Sequence, residues 1–351
     1  MQPEVSVIIP TYNRRAMVRE AIASVTAQAV SASKVACELI VVDDGSTDGT
    51  AEELDRIRTA HGGDRMRMQV VRTGNRGVAS ARNTGVAIAV APLIAFLDSD
   101  DLWLPHKLER QLEFMRAHPE FAIAQTDEIW IRGGRRVNPG LRHRKRSGDI
   151  FIDSLRTCLI SPSAVMLRTT LFRQLGGFDE RMAAAEDYDL WLRILVRHNV
   201  GLIPAPLVMR RAGYSMPADG AAASGQLSAT VPAIDRFRIL ALLKLIADDD
   251  LDSLRRRAVN EVIAEKCAIY AQGLRRRGRE AGAITVAEIG SHASAAAGDT
   301  RQGSRDDSIA KLISIIAADT SCIATPQNSD EMQKSSLLAS HGLKVAAETV
   351  A

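Results

Sequence analysis

What most constrains this chain is a rhythm in its first hundred residues, where short unbroken apolar runs end in polar loops and alternate with stretches of helical period. Val5-Ser6-Val7-Ile8-Ile9 is a β-branched run stopped by Pro10, after which Val18, Ile22, Val25 and Ala29 recur at helical spacing. Leu39-Ile40-Val41-Val42 reads as a second strand and breaks into Asp43-Asp44-Gly45-Ser46-Thr47-Asp48-Gly49. Thr50 and Glu53 then stand at capping-box spacing before a helix carrying Leu54 and Ile57. Met68 to Val71 predicts a third strand, Val78, Ala81, Gly85, Val86 and Ala89 an apolar helix face, and Leu93 to Leu97 a fourth strand. Strands that are apolar on both faces need cover on both faces, so the expected fold is α/β, a mostly parallel central sheet with helices on each side.

After residue 101 the rhythm changes. A helix runs through Leu108, Leu112 and Met115, a strand lies near Phe121 to Trp130, and an Arg- and Gly-rich loop follows. Ser163 to Leu167 predicts another strand, Tyr188 to Arg197 a helix with Leu190, Trp191, Ile194 and Leu195 inward, and Val200 to Ile203 a short strand. These segments make residues 1–211 one α/β domain. Residues 212–233, rich in Ala, Gly and Ser with two prolines, read as a flexible loop, and 234–282 as a helical extension. From 283 to 351 no aromatic residue occurs and 24 of 69 positions are Ala or Ser, which predicts a weakly structured tail. Trp103, Trp130 and Trp191 each adjoin an apolar periodic segment and are expected to pack in the interior.

Composition narrows the function. Among 351 residues, 46% are hydrophobic and 25% charged, the balance of a soluble globular protein. The net charge of +3 is too small to argue for nucleic acid. Cys37, Cys158, Cys267 and Cys322 have neither zinc-type spacing nor the density of a disulfide framework, so a reducing cytoplasm is expected. The longest uncharged apolar stretch, Val86 to Leu97, spans 12 residues against the ~18 a membrane span needs, and the N-terminal apolar run is too short for a signal peptide. Any membrane contact is therefore expected to be peripheral, at the inner face. Residues 132–146, with seven Arg or Lys and no acid, are its candidate, for anionic headgroups or a lipid-diphosphate acceptor; the alternative is a solvated basic loop.

In open α/β sheets, ligands bind beyond the carboxyl ends of the strands. Those ends deliver Pro10, Thr11, Tyr12, Asn13 and Arg14, then Asp43, Asp44 and Ser46, then Asp98, Ser99, Asp100 and Asp101. Three carboxylates within four positions repel one another, and carboxylate oxygens suit Mg2+ or Mn2+ shared with a diphosphate. The first loop has no glycine, so it lacks the G-x-G-x-x-G fingerprint of a dinucleotide fold; P-loop and G-x-S-x-G signatures are also missing from the chain. Glu186 and Asp187 open the Tyr188 helix, where acids favour the helix dipole whether or not they react.

Five segments, V-S-V-I-I-P-T-Y-N-R from Val5, V-V-D-D-G-S-T-D-G-T from Val41, A-R-N-T-G from Ala81, F-L-D-S-D-D-L-W-L-P-H-K-L from Phe96 and E-D-Y-D-L-W-L-R from Glu186, resemble the family 2 glycosyltransferases across residues 4–210. The resemblance implies a GT-A fold, a nucleotide-diphospho-sugar donor, a divalent metal (Mn2+ or Mg2+), a glycan or lipid-linked acceptor and inversion at the anomeric carbon. It places Thr11, Tyr12 and Asp43 at the nucleobase within a nucleotide-sugar loop that includes Pro10, Asn13 and Arg14. Arg76 and Arg82 match positions near the base or diphosphate. Asp100 matches the ribose contact and Asp101 the metal ligand; Asp100 is expected to share the metal, with Asp98 supporting either. Asp187 matches the base that takes the acceptor proton, Glu186 being the second choice, and Asp44 and Ser46 are expected to shape their loop. The implied role is bacterial cell-surface glycan synthesis. The rival readings are a nucleotide-sugar or glycan binding protein without turnover, and a nucleotidyltransferase.

Overall fold

The structure, a computed structural model, describes residues 2–31, 36–60, 66–212, 233–246, 251–298, 308 and 310–315. The apolar runs form β1 (Val5–Thr11), β2 (Cys37–Asp43), β3 (Met66–Arg72) and β4 (Leu93–Phe96), parallel in the spatial order β3-β2-β1-β4. They are joined through α1 (Arg15–Ser31), α2 (Thr50–Ala60) and α3 (Val78–Ile88). Alternate strand residues face opposite layers. Val5, Val7, Ile9, Leu39 and Val41 share a core with Val18, Ile22 and Val25 of α1 and Leu54 of α2. Ile8 faces α3, where a Cβ on Gly85 would stand 2.5 Å from Ile8 Cγ2, so only glycine admits the helix that close. The connection through α3 crosses back over β2 and β1, so the winding direction reverses between β1 and β4 and a crevice opens at their carboxyl ends. Pro10 assists: the ladder ends where Leu97 N–H donates to the Ile8 carbonyl (3.0 Å), and the next bond would need the N–H that proline lacks.

Past β4 the sheet becomes mixed. The order continues through β8 (Val165–Arg168), β6 (Ile123–Arg132), β9 (Val200–Ala212) and β5 (Leu102–Trp103), while β7 (Arg135–Val137) forms a hairpin on β6 across Gly133 and Gly134. The parallel character read from the first four strands belongs to that half; β4–β8, β8–β6 and β9–β5 are antiparallel. Strand β9 runs past its predicted end at Ile203. Pro204 and Pro206 cannot donate, and two register shifts opposite Thr126–Glu128 absorb them. Helices α4 (Lys107–Ala117), α5 (Phe151–Arg156), α6 (Thr169–Gln174) and α7 (Glu186–Leu195) complete this part of the chain.

Several local expectations are corrected. The Thr50–Glu53 capping box does not form: Asp48 accepts from Thr50 N–H (3.0 Å) and from Arg15 N–H (3.2 Å), capping both α2 and α1, while Glu53 pairs with Arg56 and Arg15. In the basic segment, Lys145 is buried against Glu128 (3.2 Å) and is not available to a lipid surface; Arg146 pairs with Asp153 (2.7 Å) and stays exposed, as do Arg142 and Arg144. Trp103 and Trp191 are buried as expected, whereas Trp130 is only half-buried.

The helical extension comprises α8 (Asp235–Ile246), α9 (Ser253–Arg276) and α10 (Glu280–Gly298). A weakly structured tail beginning at 283 is therefore overturned as far as residue 298. Ala283, Val286, Ile289 and Ala293 are buried at helical spacing, and Gly290 lies so close to Cys267 of α9 that a Cβ would meet it at 2.8 Å. The small residues that look uncommitted in sequence are what close packing of two helices requires. Residues 310–315 are helical and begin a second unit. Most of the predicted 212–233 loop, and the chain after 315, lie outside the described residues.

Candidate active site

A cavity of about 530 Å3 opens at the carboxyl ends of β1 and β4, the place the winding reversal dictates. Asp98, Asp100 and Asp101 follow β4 into it, with ligand oxygens all within 4.8 Å of one another. Arg14 Nη1 is 2.8 Å from Asp100 Oδ2 and Arg82 Nη2 is 2.7 Å from Asp98 Oδ1. Asp101 is held from both sides: Ser163 Oγ donates to one oxygen (2.6 Å) and Arg211 N–H to the other (2.9 Å). Burial pushes the Asp100 carboxyl up, Asp98 adding to this and Arg14 opposing it; burial, Asp100 and Asp98 together push Asp101 well above the ordinary carboxylate range. A close, mutually repelling set of carboxylates fits a hard divalent cation.

The first loop brings Pro10, Thr11, Tyr12 and Arg14 to the cavity wall. Asn13 turns away from it. At φ 50° its side chain accepts from Thr47 N–H (2.7 Å) and its own N–H donates to Ser46 Oγ (2.9 Å), tying the two strand-end loops together. Asp43 is buried behind the lining and accepts from Ser46 N–H (3.1 Å). Asp44 lines the cavity and ties the loop behind it: it accepts from Thr73 Oγ1 (2.9 Å), Arg76 N–H (2.9 Å) and Gly77 N–H (2.7 Å). The Arg76 side chain points to Glu180 on the surface (2.9 Å) and does not line the cavity.

Across the cavity, α7 begins with Glu186 and Asp187, both lining it. The turn before them is strained: Ala185 has φ 59°, a left-handed conformation unfavourable for a residue with a Cβ. The two acids differ sharply. Glu186 is buried and meets Arg82 Nη1 at 2.6 Å, so the Arg82 guanidinium spans Glu186 on one side and Asp98 on the other. Burial raises the Glu186 carboxyl and Arg82 opposes this, while Arg82, despite its own burial, is held more firmly protonated by Asp98 and Glu186. Both terminal nitrogens of Arg82 on carboxylates describe an ionised bridge. Asp187 is only half-buried; its Oδ1 accepts from Tyr188 N–H (2.7 Å) and the Cys158 thiol lies 3.8 Å from its Oδ2.

Several residues of this site carry no signal in the linear sequence. Ser163 stands in the turn before β8, Arg210 and Arg211 at the far end of β9 and Cys158 after α5. Tertiary structure alone assembles them.

The model of glycosyl transferase family 2 matches residues 6–176. An uncharacterised glycosyltransferase of Rickettsia felis is 35% identical over 204 residues, which cover 58% of this chain and 32% of that protein. The chain thus spans about a third of the length of this relative. The Escherichia coli UDP-Glc:α-D-GlcNAc-diphosphoundecaprenol β-1,3-glucosyltransferase WfgD is 33% identical over 199 residues, 57% of this chain and 72% of that one. Among solved structures, Staphylococcus aureus TarS 1–349 in complex with UDP-GlcNAc superposes with a TM-score of 0.62 at 17% identity, covering 91% of this chain and 92% of that one. The Pyrobaculum calidifontis mannosyltransferase PcManGT, in complex with GDP-Man and Mn2+, gives 0.54 at 20% identity over 91% and 80%. These likenesses extend over the sheet, the crevice and the helical extension, and the fold is the GT-A type. With the family model lying across the strand-end loops and WfgD matched over most of its length, the chain belongs to glycosyl transferase family 2.

Proposed function

We propose that this chain is an inverting glycosyltransferase that moves a sugar from a nucleotide-diphospho-sugar to an acceptor hydroxyl in the synthesis of a bacterial surface glycan. The observation that carries this reading is the placing of a half-buried carboxylate, Asp187, across one cavity from the Asp98–Asp100–Asp101 cluster, with Arg82 bridging the two sides. Thr11 and Tyr12 receive the nucleoside, with Asp43 behind them. A divalent cation, Mn2+ or Mg2+, would be held by Asp100 and Asp101 beside Asp98 and supplies charge neutralisation at the diphosphate when bound. The acceptor hydroxyl attacks the anomeric carbon from the face opposite the diphosphate. The new carbon–oxygen bond forms as the bond to the diphosphate breaks, the hydroxyl proton passes to Asp187, and the nucleoside diphosphate leaves. One displacement of this kind inverts the anomeric centre. Glu186, committed to Arg82, positions the start of α7 and takes no proton.

The acceptor is a glycan or lipid-linked sugar, a class supported by the WfgD name. No helix among the described residues is long and apolar enough to cross a membrane. A lipid-borne acceptor would be met at a membrane surface, and the exposed cations of the basic segment are Arg132, Arg135, Arg136, Arg142, Arg144 and Arg146. Thermal unfolding measured with UDP-, GDP- and dTDP-sugars and Mn2+ tests the reading, because a ligand bound only by the folded state raises the transition. One donor class should stabilise the chain, and turnover should release its nucleoside diphosphate. Release of pyrophosphate would make it a nucleotidyltransferase; stabilisation without turnover, a binding protein.

A further inference from the structure

Of the three clustered carboxylates, Asp98 and Asp100 each pair with an arginine side chain, whereas the two hydrogen bonds that Asp101 accepts come from uncharged groups, Ser163 Oγ–H (2.6 Å) and the Arg211 backbone N–H (2.9 Å). The Ser163 hydroxyl is engaged twice. Its oxygen accepts from Asp98 N–H (3.1 Å), and its single proton goes to Asp101 Oδ2. One fully buried side chain thus grips both ends of the acidic turn, which also closes on itself where Asp101 N–H donates to the Asp98 carbonyl (2.9 Å).

Ser163 is itself held in place. Its carbonyl accepts from Trp103 Nε1–H (2.8 Å), and the next carbonyl, that of Ala164, accepts from Gln111 Nε2–H (3.0 Å). Lys107 joins those two side chains: its Nζ lies 3.8 Å from the centre of the Trp103 ring and donates to Gln111 Oε1. Trp103, Lys107, Gln111 and Ala164 are all buried, so the segment that follows the acidic turn folds back to brace the residue that holds it. A carboxylate that binds a metal depends for its orientation on the groups hydrogen-bonded to it. We propose that Ser163 is a positioning residue for the cation, fixing the Asp101 carboxylate in the orientation in which it binds metal. Each Asp101 oxygen, having accepted one hydrogen bond, keeps a second lone pair for that cation. This rests on the reading of the cluster as the site of a cation bound together with a nucleoside diphosphate.

The test titrates whichever of UDP, GDP and dTDP stabilises the parent into the full chain by calorimetry, over a series of Mn2+ concentrations that includes zero. The Mn2+ concentration giving half of the metal-dependent gain in affinity should rise at least about tenfold in Ser163→Ala, the usual cost of losing such a partner, with metal-free affinity within twofold of the parent. Ser163→Cys fills the same space with a weaker donor, and its Mn2+ requirement should fall between the two. Should the alanine variant not fold, the cysteine variant decides on the same measure. A parental Mn2+ requirement in either folded variant would overturn the positioning role and leave the transferase reading standing. Metal-free affinity that falls together with the metal gain would make Ser163 a residue of the fold alone and overturn the role too. If nucleotide binding by the parent does not respond to Mn2+, the reading of the cluster as a cation site fails and this proposal with it.

Discussion

Glu186 and Asp187 are adjacent carboxylates with different fates, and their surroundings explain why. Glu186 is buried on Arg82, whereas Asp187 keeps a cavity-facing oxygen near a neutral thiol. Asp187→Asn is expected to lower turnover by at least about 100-fold with donor affinity unchanged, the loss typical of a removed general base; steady-state release of nucleoside diphosphate reads the first quantity and calorimetry the second. The same turn carries Ala185 at φ 59°. Ala185→Gly should relieve about 1 kcal/mol of left-handed strain, measured as a higher urea midpoint. The acids themselves were legible, because apolar strands that end in Asp98–Asp101 and a helix that opens with Glu186-Asp187 are linear patterns. The Arg82 bridge was not. Its two partners lie 16 and 104 residues away in sequence, and an arginine in a helix reads the same whether it meets a phosphate or a carboxylate.

Among the elements, the four parallel strands could be read directly because buried strands are continuous apolar runs. In sequence β9 ends at Ile203, because Pro204 and Pro206 look like a stop; two register shifts against β6 carry it on to Arg210 and Arg211. Close approach also leaves little trace: Gly85 appears merely as a small member of an apolar face, yet it sets the distance of α3 from β1. Gly85→Ala should destabilise by about 1–3 kcal/mol through overpacking against Ile8, seen as a lower urea midpoint with an unchanged slope. α8 buries an apolar surface that includes Phe237, Ile239, Leu242 and Leu245, and ion pairs add to its attachment. Lys244 Nζ meets Asp179 (2.8 Å) and Asp189 (2.5 Å), the latter on α7. Against the cost of burial, hydrogen bonds from Arg181 and Lys244 hold the Asp179 carboxyl below its ordinary value of 3.8. A depressed carboxyl contributes stability that is present above the unfolded value and lost as pH falls through the folded one. Asp179→Asn should therefore lower stability at neutral pH and flatten its decline below about pH 4, as measured by urea unfolding across that range.

For the whole molecule, the sequence places the site at one end of a wound sheet, and the structure gathers there side chains from β1, β4, β9, α7 and α8 around one cavity. The helical extension was visible as periodicity, but its end was not, because α10 buries alanine and glycine where a core is usually sought in aromatic residues. The central claim is that this cavity takes a nucleoside diphosphate together with a divalent cation held by the β4 carboxylates. Calorimetric titration of the stabilising nucleoside diphosphate into the parent and Asp100→Asn, each with and without Mn2+, tests it most directly. Parent affinity should depend on Mn2+ and should weaken at least tenfold in the variant; an affinity that is equal in both proteins and indifferent to metal would contradict the account.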